Sequence, residues 1–289
     1  MKILVVGNGF LAASIIERLQ AEGHDLLVYS RKYRQEIGCQ QISGNIFNFE
    51  EFAKTLDWKP QIVIHTAWIT TPGIYKSDQS NADYATFTTK LAKEIVNSDV
   101  EHLIILGTCA EYGSVRAPSL AGITPLLPLS FYAKQKVATL YAVKEIMRDS
   151  SCRLTWSRVF YPYGPNQDKR RLIPNLITSL DTGVKITLED TSSIYDWITA
   201  RDVASAISWV IQNNLPVEID VGTSIGYKNI DLLRTLEELL HLKSYLHPSK
   251  ANQMEFNEVF VMDKGSSLLK SGWAPQDTLI TGLEWMISN

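Results

Sequence analysis

Cysteine is scarce in this chain. The three present, Cys39, Cys109 and Cys152, are far apart and odd in number. That spacing argues against both a disulfide framework and a metal site, so no metal is expected and a reducing compartment, the cytoplasm, is the expected location. Long apolar runs are missing too. No stretch approaches the ~18 apolar residues of a membrane span, and the opening run Ile3–Val6 is too short for a secretory signal. Neither charge dominates: 28 Lys and Arg against 31 Asp and Glu leave a formal net charge of −3. With no long basic run, neither a nucleic acid nor a membrane is expected as partner. Repeats and low-complexity segments are also lacking. What remains is an ordinary globular composition, long enough for one large domain or two modest ones.

Against these absences, two stretches stand out. Near the start, the apolar run Ile3–Val6 breaks at Gly7-Asn8-Gly9-Phe10-Leu11-Ala12, after which Leu11, Ile15 and Leu19 share one helical face and Gly23 lies beyond its end. This is G-x-G-x-x-A in a strand–turn–helix setting. Gly7 permits a tight turn, Gly9 lets the backbone approach a pyrophosphate, and Ala12 allows close helix–strand packing, which together predict a dinucleotide site. After the second strand, Leu26–Tyr29, an acid would accept from the ribose 2′-hydroxyl of NAD. Here the chain reads Ser30-Arg31-Lys32 instead. Arg31 can pair with a 2′-phosphate and Ser30 can donate to it, so NADP(H) is preferred, with NAD(H) as the alternative.

The second stretch runs from the strand His102–Thr108 to the helix bearing Tyr132 and Lys136. Tyr132 and Lys136 fall four residues apart, on one helical face, and theirs is the one Tyr-x-x-x-Lys pair in the sequence. An ammonium beside a phenol lowers the phenol's pKa, fitting it to exchange a proton with a sugar hydroxyl or carbonyl near neutrality. Thr108, at the C-terminal end of its strand, offers a second hydrogen bond to the same oxygen.

Strands alternate with helices through the first 160 residues, which predicts an α/β fold, a doubly wound parallel Rossmann sheet. Asn48 and Glu51 have capping-box spacing before a helix. Gln61–Thr66 is a buried strand in which His65 reads as structural, Asn81–Asn97 and Ser130–Met147 are helices, and Arg153–Phe160 is a strand. The rhythm becomes irregular after Gly164. Residues 1–165 are therefore expected to form the dinucleotide-binding domain, rejoined by 197–223, and 166–289 mainly a smaller substrate domain.

These residues resemble the extended short-chain dehydrogenase/reductases, in the NAD-dependent epimerase/dehydratase group acting on nucleotide sugars. The resemblance rests on Gly7/Gly9/Ala12, I-V-I-H-T-A, G-T-C-A-E-Y-G, Tyr132-x-x-x-Lys136, S-R-V-F-Y-P-Y-G-P, R-L-I-P, D-W-I-T-A-R-D-V and S-G-W-A-P, and covers nearly the whole chain. It implies that Tyr132 is the acid/base, that Lys136 binds the nicotinamide ribose and tunes Tyr132, and that Thr108 positions the substrate. It further implies cofactor contacts from Gly7, Asn8, Gly9, Phe10, Leu11, Ser30, Arg31, Lys32, Asn45, Ile46, Thr66, Ala67, Lys136 and Tyr161. Trp68, Cys109, Arg171 and Tyr195 are implied on the substrate side, where either Arg170 or Arg171 can supply the missing cation, and a homodimer through the helices at 81–97 and 130–147. The chain departs from the family pattern in four places. Its glycine motif is one residue shorter, and Asn45 stands where an Asp is usual. Tyr161 replaces an Asn, and Tyr195 an Arg, that touch the substrate diphosphate in many members.

The 4,6-dehydratases of this family carry Asp-Glu directly after the catalytic Thr, and here those positions are Cys109 and Ala110, so dehydration is not expected. The Ser30-Arg31-Lys32 turn tilts the expectation towards a reductase, in which NADPH reduces the C4 ketone of a nucleoside-diphosphate 4-keto-6-deoxy sugar in deoxysugar biosynthesis. A nucleotide-sugar epimerase that retains NAD is the alternative. A non-catalytic NADP-binding redox sensor built on the same fold is a third reading.

Overall fold

The computed structural model describes residues 1–188, 190–244 and 258–289. In chain order its elements are β1 (Lys2–Val6), α1 (Phe10–Ala21), β2 (Asp25–Ser30), β3 (Gln40–Ser43), α2 (Phe49–Ala53), β4 (Ile62–His65), α3 (Asn81–Val96), β5 (His102–Thr108), α4 (Phe131–Ile146) and β6 (Arg153–Val159). There follow β7 (Tyr161–Tyr163), α5 (Leu172–Thr182), β8 (Ile194–Tyr195), β9 (Trp197–Thr199), α6 (Ala200–Gln212), β10 (Glu218–Val221), β11 (Tyr227–Lys228), α7 (Asn229–Leu240), β12 (Val259–Phe260), α8 (Ser267–Lys270) and α9 (Leu279–Ile287).

Among the described residues, seven strands form one parallel sheet in the order β3-β2-β1-β4-β5-β6-β10. This is the doubly wound arrangement that the alternating pattern predicts. The strands at its centre read as continuous apolar runs because both faces are covered. One face packs on α1 and α6, with Ile15, Leu19, Val203, Ile207 and Val210 buried between helices and sheet. The other face packs on α2, α3 and α4 through Phe52, Phe87, Leu91, Leu140 and Val143. The chain leaves β1 in one direction to β2 and β3, then returns to the other side with β4, which opens a crevice at the C-terminal edge of the sheet.

A separate apolar cluster joins α5, α7 and α9 through Leu176, Leu180, Leu233, Leu236 and Leu283, with Tyr163 and Trp197 at its boundary. β10 lies beside β6 in the main sheet. Local signals set most boundaries. Ser130 caps α4 by accepting from the Ala133 amide at 3.1 Å, and Thr199 caps α6 by accepting from Asp202 at 3.1 Å. The capping box expected at Asn48 does not form. Its amide instead donates to the Glu51 carboxylate at 3.1 Å, leaving α2 a five-residue helix.

Candidate active site

Because the sheet is parallel, the C-terminal ends of β1, β2, β4, β5 and β6 lie along one edge. That edge carries the Gly7–Leu11 turn, Ser30, Thr66–Trp68, Thr108 and Tyr161, which are far apart in the sequence. At the turn, Gly7 has φ +107°, and a Cβ there would lie 2.5 Å from Thr66 Oγ1 and 3.0 Å from the Ala67 amide nitrogen. Nothing else fits between β1 and β4. A Cβ on Gly9, by contrast, would meet no atom within 4 Å, so the space before it is open. Gly9 is the N-cap residue of α1 and no side chain caps that helix, so its first amides face this space, with Phe10 and Leu11 in its opening turn. An open approach and a helix start without a side-chain cap suit a pyrophosphate, and the residues present fit a dinucleotide.

Around this turn the expected cofactor residues divide. Thr66 donates to the Val6 carbonyl at 2.9 Å, and the Thr66 and Ala67 amides both reach that carbonyl, which fixes the β4 end against the glycine turn. Asn8 donates to the Lys32 carbonyl at 2.6 Å, and buried Ser30 donates to the same oxygen at 2.9 Å. The Ser30 hydroxyl is therefore committed within the turn, and of the pair expected to meet a 2′-phosphate, Arg31 is the exposed one. Asn45 is exposed, with its side-chain oxygen accepting from the Phe47 amide at 3.1 Å, while Ile46 is buried.

At the end of β5 the chain enters a one-turn helix, Cys109–Tyr112, through a complete capping box. Thr108 Oγ1 accepts from the Ala110 amide at 3.3 Å, and Glu111 Oε1 accepts from the Thr108 amide at 2.9 Å. The Thr108 hydroxyl lies near enough to the Tyr132 phenol to favour its anion, which associates two of the three predicted catalytic groups. Tyr132 is buried, and Tyr75, from the loop before α3, packs edge-on against it with ring centroids 5.1 Å apart. Lys136 is 3% exposed. Its ammonium donates to the Leu106 carbonyl at 2.6 Å and lies 3.8 Å from the centroid of Trp68.

Burial dominates the electrostatics here. It pushes the Tyr132 phenol well above its ordinary range, against the pull of the nearby Thr108 hydroxyl. It pulls Lys136 down to about 7, against the support of the Glu111 carboxylate. Proximity of ammonium and phenol alone therefore does not deliver the low-pKa tyrosine expected from the spacing, because both groups are out of water. His65, the structural histidine of the sequence reading, is held neutral at about 3 by burial and by the Lys136 charge. Its Nε2 lies 2.9 Å from the Thr88 hydroxyl, which itself donates to the Tyr84 carbonyl, so Nε2 carries the proton.

Two residues expected on the substrate side are placed differently. The Trp68 indole is buried, donates to Asn81 at 2.7 Å and stacks on Tyr84, because its side chain turns into the core beneath Lys136. Cys109 is buried as well, and its thiol is pushed far up by desolvation and by Asp196, Asp220 and Glu111 nearby, so it is an inert neutral group. The other two are half-buried. Tyr195 packs with Tyr161, Trp197 and Phe260 at centroid distances of 4.7 to 5.9 Å, and its hydroxyl donates to Asp190 at 2.6 Å. Arg171, the N-cap residue of α5, crosses to the loop before α3, donating to the Thr70 carbonyl at 2.6 Å with its guanidinium 5.2 Å from the Tyr75 ring.

Four groups escaped the sequence reading: Tyr75, Glu111, Trp156 and Arg158. The signal for Glu111 was present, since Thr108-x-x-Glu111 is a capping box at a strand end. Nothing local marks Tyr75, which arrives from a loop.

The model of the NAD dependent epimerase/dehydratase family matches residues 3–222. The chain belongs to that family. Members of this family include oxidoreductase-type enzymes of the extended short-chain kind, and the resemblance read from the motifs holds. The UDP-glucose 4-epimerase of Lactobacillus helveticus is 22% identical over 99% of this chain and 97% of its own length. A dTDP-glucose 4,6-dehydratase of Mycolicibacterium smegmatis is 26% identical over 57% of this chain and 52% of its own. Among solved structures, the Thermotoga maritima UDP-glucose 4-epimerase with UDP-glucose superposes with TM-score 0.85 at 20% identity, covering all of this chain and 98% of that one. The Thermus thermophilus UDP-glucose 4-epimerase complex with NAD gives 0.85 at 21%, with the same coverage. At these identities the superpositions show a common fold. Among the described residues no helix is long and apolar enough to cross a membrane.

Proposed function

We propose that this member of the epimerase/dehydratase family is a nucleotide-sugar epimerase that retains NAD, oxidising and re-reducing one carbinol of its substrate. The observation that carries this reading is the full-length match to a UDP-glucose 4-epimerase, whereas the dehydratase match spans about half of each chain. Cys109 and Ala110 also lack the acid and base that elimination of water requires. The reductase reading, favoured by the sequence alone, keeps one observation on its side: exposed Arg31 with no acidic residue beside it in the turn. An acceptor of the 2′-phosphate can coexist with retained NAD, so Arg31 carries less weight than the full-length match.

The chain's own residues supply binding and proton transfer. The Gly7–Leu11 turn and α1 hold the pyrophosphate, Thr66 and Ala67 line the approach from β4, and Lys136 takes the nicotinamide ribose. The chemistry NAD supplies when bound is reversible acceptance of the electron pair from the sugar carbinol carbon. Thr108 holds the sugar oxygen by a hydrogen bond, and Tyr132 takes its proton on oxidation and returns one on reduction. Positive charge from Lys136 in a site free of water favours the phenolate that this exchange needs. On the substrate side, Tyr161 and Tyr195 present aromatic faces in place of charge, so Arg171 is assigned to the substrate diphosphate. We take residues 1–165 with 197–223 as the cofactor unit, the remainder as mainly substrate-binding, and the outward faces of α3 and α4 as the surface of a homodimer.

The test is to incubate purified protein with nucleoside-diphosphate hexoses without added cofactor and follow the configuration at each carbinol by NMR. Inversion with no net consumption of nicotinamide supports the epimerase. A requirement for stoichiometric oxidation of NADPH by a keto sugar returns the reductase.

A further inference from the structure

Behind Thr108 lies a buried set of charges that the proposed chemistry does not use. Glu111 and Arg158 are both 0% exposed, and Arg158 Nε donates to Glu111 Oε2 at 2.7 Å. Arg158 Nη2 donates to Glu218 at 2.7 Å, and Glu218 in turn accepts from Lys144. The Trp156 indole N–H is shared between both Glu111 oxygens at 3.1 Å each, and the Lys136 ammonium lies 5.7 Å from the centroid of that same ring. Gly107 makes the arrangement possible: a Cβ there would fall 2.3 Å from Trp156 Nε1 and 2.8 Å from Glu111 Oε1.

Lys136 has no carboxylate within ion-pair distance among the described residues. Burying an ammonium without one favours its neutral form. Lys136 couples to neutral His65 on β4 and to Glu111, and Glu111 in turn couples to cationic Arg158 on β6, to neutral Cys109 and to Tyr132 on α4. Of these, Glu111 is the anion: burial raises its pKa, yet every hydrogen bond it makes, from the Thr108 amide, Trp156 and Arg158, is one it accepts.

We infer that Glu111 is a positioning residue for Lys136, holding the ammonium charged across the Trp156 ring while its capping bond to the Thr108 amide fixes the hydroxyl that Lys136 and Tyr132 serve. The charge and the cap are carried by one side chain, so the state of Lys136 and the place of Thr108 are set together. This deepens the proposed chemistry, and its direct test does not depend on that chemistry.

The direct test is an NMR titration of the Lys136 side chain in purified protein labelled at lysine Cε, with the signal assigned through Lys136→Arg. In the native chain the midpoint is expected near 7. Glu111→Gln keeps an acceptor for the Thr108 amide and removes the charge, and is expected to lower the midpoint by about one pH unit. Glu218→Gln removes Arg158's other partner and is expected to move it by less than about 0.3 unit. Trp156→Phe keeps the ring and deletes the N–H, and is expected to lower the midpoint by about half a unit. An unchanged midpoint in Glu111→Gln, or an equal shift in Glu218→Gln, overturns the inference. Should Glu111→Gln fail to fold, an unchanged midpoint in Trp156→Phe overturns it. In turnover, loss of the ammonium as pH rises sets the alkaline limb, which should move to lower pH in Glu111→Gln. A titration that shifts as expected in a protein without epimerase activity would sustain this inference and reject the proposed function.

Discussion

The two sides of the cleft are built by different means. On the proposed cofactor side the distinguishing features belong to the backbone: a left-handed glycine pressed against Thr66, an open approach at Gly9, and a helix start with no side-chain cap. On the proposed substrate side they belong to side chains, and there Tyr161 and Tyr195, packed with Trp197 and Phe260, stand where family resemblance leads one to expect an amide and a cation. A backbone cradle tolerates little change, since few residues satisfy its geometry. A side-chain wall can be rebuilt residue by residue while the fold stays intact, and that is where members of one family diverge in substrate.

Four substitutions probe this contrast. Tyr132→Phe removes the proton carrier shared by both sides, and turnover should fall by at least about a thousandfold with cofactor still bound. Steady-state rates together with the nicotinamide content of the purified protein check this. Gly7→Ala places a Cβ against Thr66 Oγ1 at a φ of +107°, and should cost about 2–4 kcal/mol of stability along with cofactor retention, as read from denaturant unfolding. If the variant keeps both, the cofactor side is not backbone-determined. Arg171→Ala should weaken binding of the nucleoside diphosphate this protein accepts by about ten- to a hundredfold, measured by calorimetry over a panel of nucleoside diphosphates, because one charge-assisted contact is lost. Undiminished affinity would show that the aromatic wall, and not Arg171, carries the diphosphate. The smallest effect is expected for Arg31→Ala, about a tenfold loss of NADP affinity with NAD affinity unchanged.

The same contrast explains what could be read from the sequence. Gly7, Gly9 and Ala12 announce their strand–turn–helix because backbone geometry is local, and the alternation of apolar strands and amphipathic helices dictates the parallel sheet. Tyr132 and Lys136 announce themselves because four residues bring two side chains onto one helical face. Tyr75 does not, since it reaches Tyr132 only when the loop before α3 folds back. The family resemblance implied Trp68 as a substrate contact, yet its indole turns inward to meet Asn81 and Tyr84, a choice set by tertiary packing. The pKa values were misjudged for a similar reason. Spacing gives the distance between phenol and ammonium, while the cost of taking both out of water depends on everything packed around them.

Central to the account is that Thr108, Tyr132 and Lys136 act together to oxidise a sugar carbinol reversibly with a nicotinamide that never leaves. Rapid mixing of purified protein with its nucleotide sugar, monitored by nicotinamide fluorescence, tests this directly. The account predicts that bound cofactor becomes reduced in a transient that precedes product, and that no transient forms in Tyr132→Phe. Product formation without any reduced intermediate, or an equal transient in the variant, would contradict it.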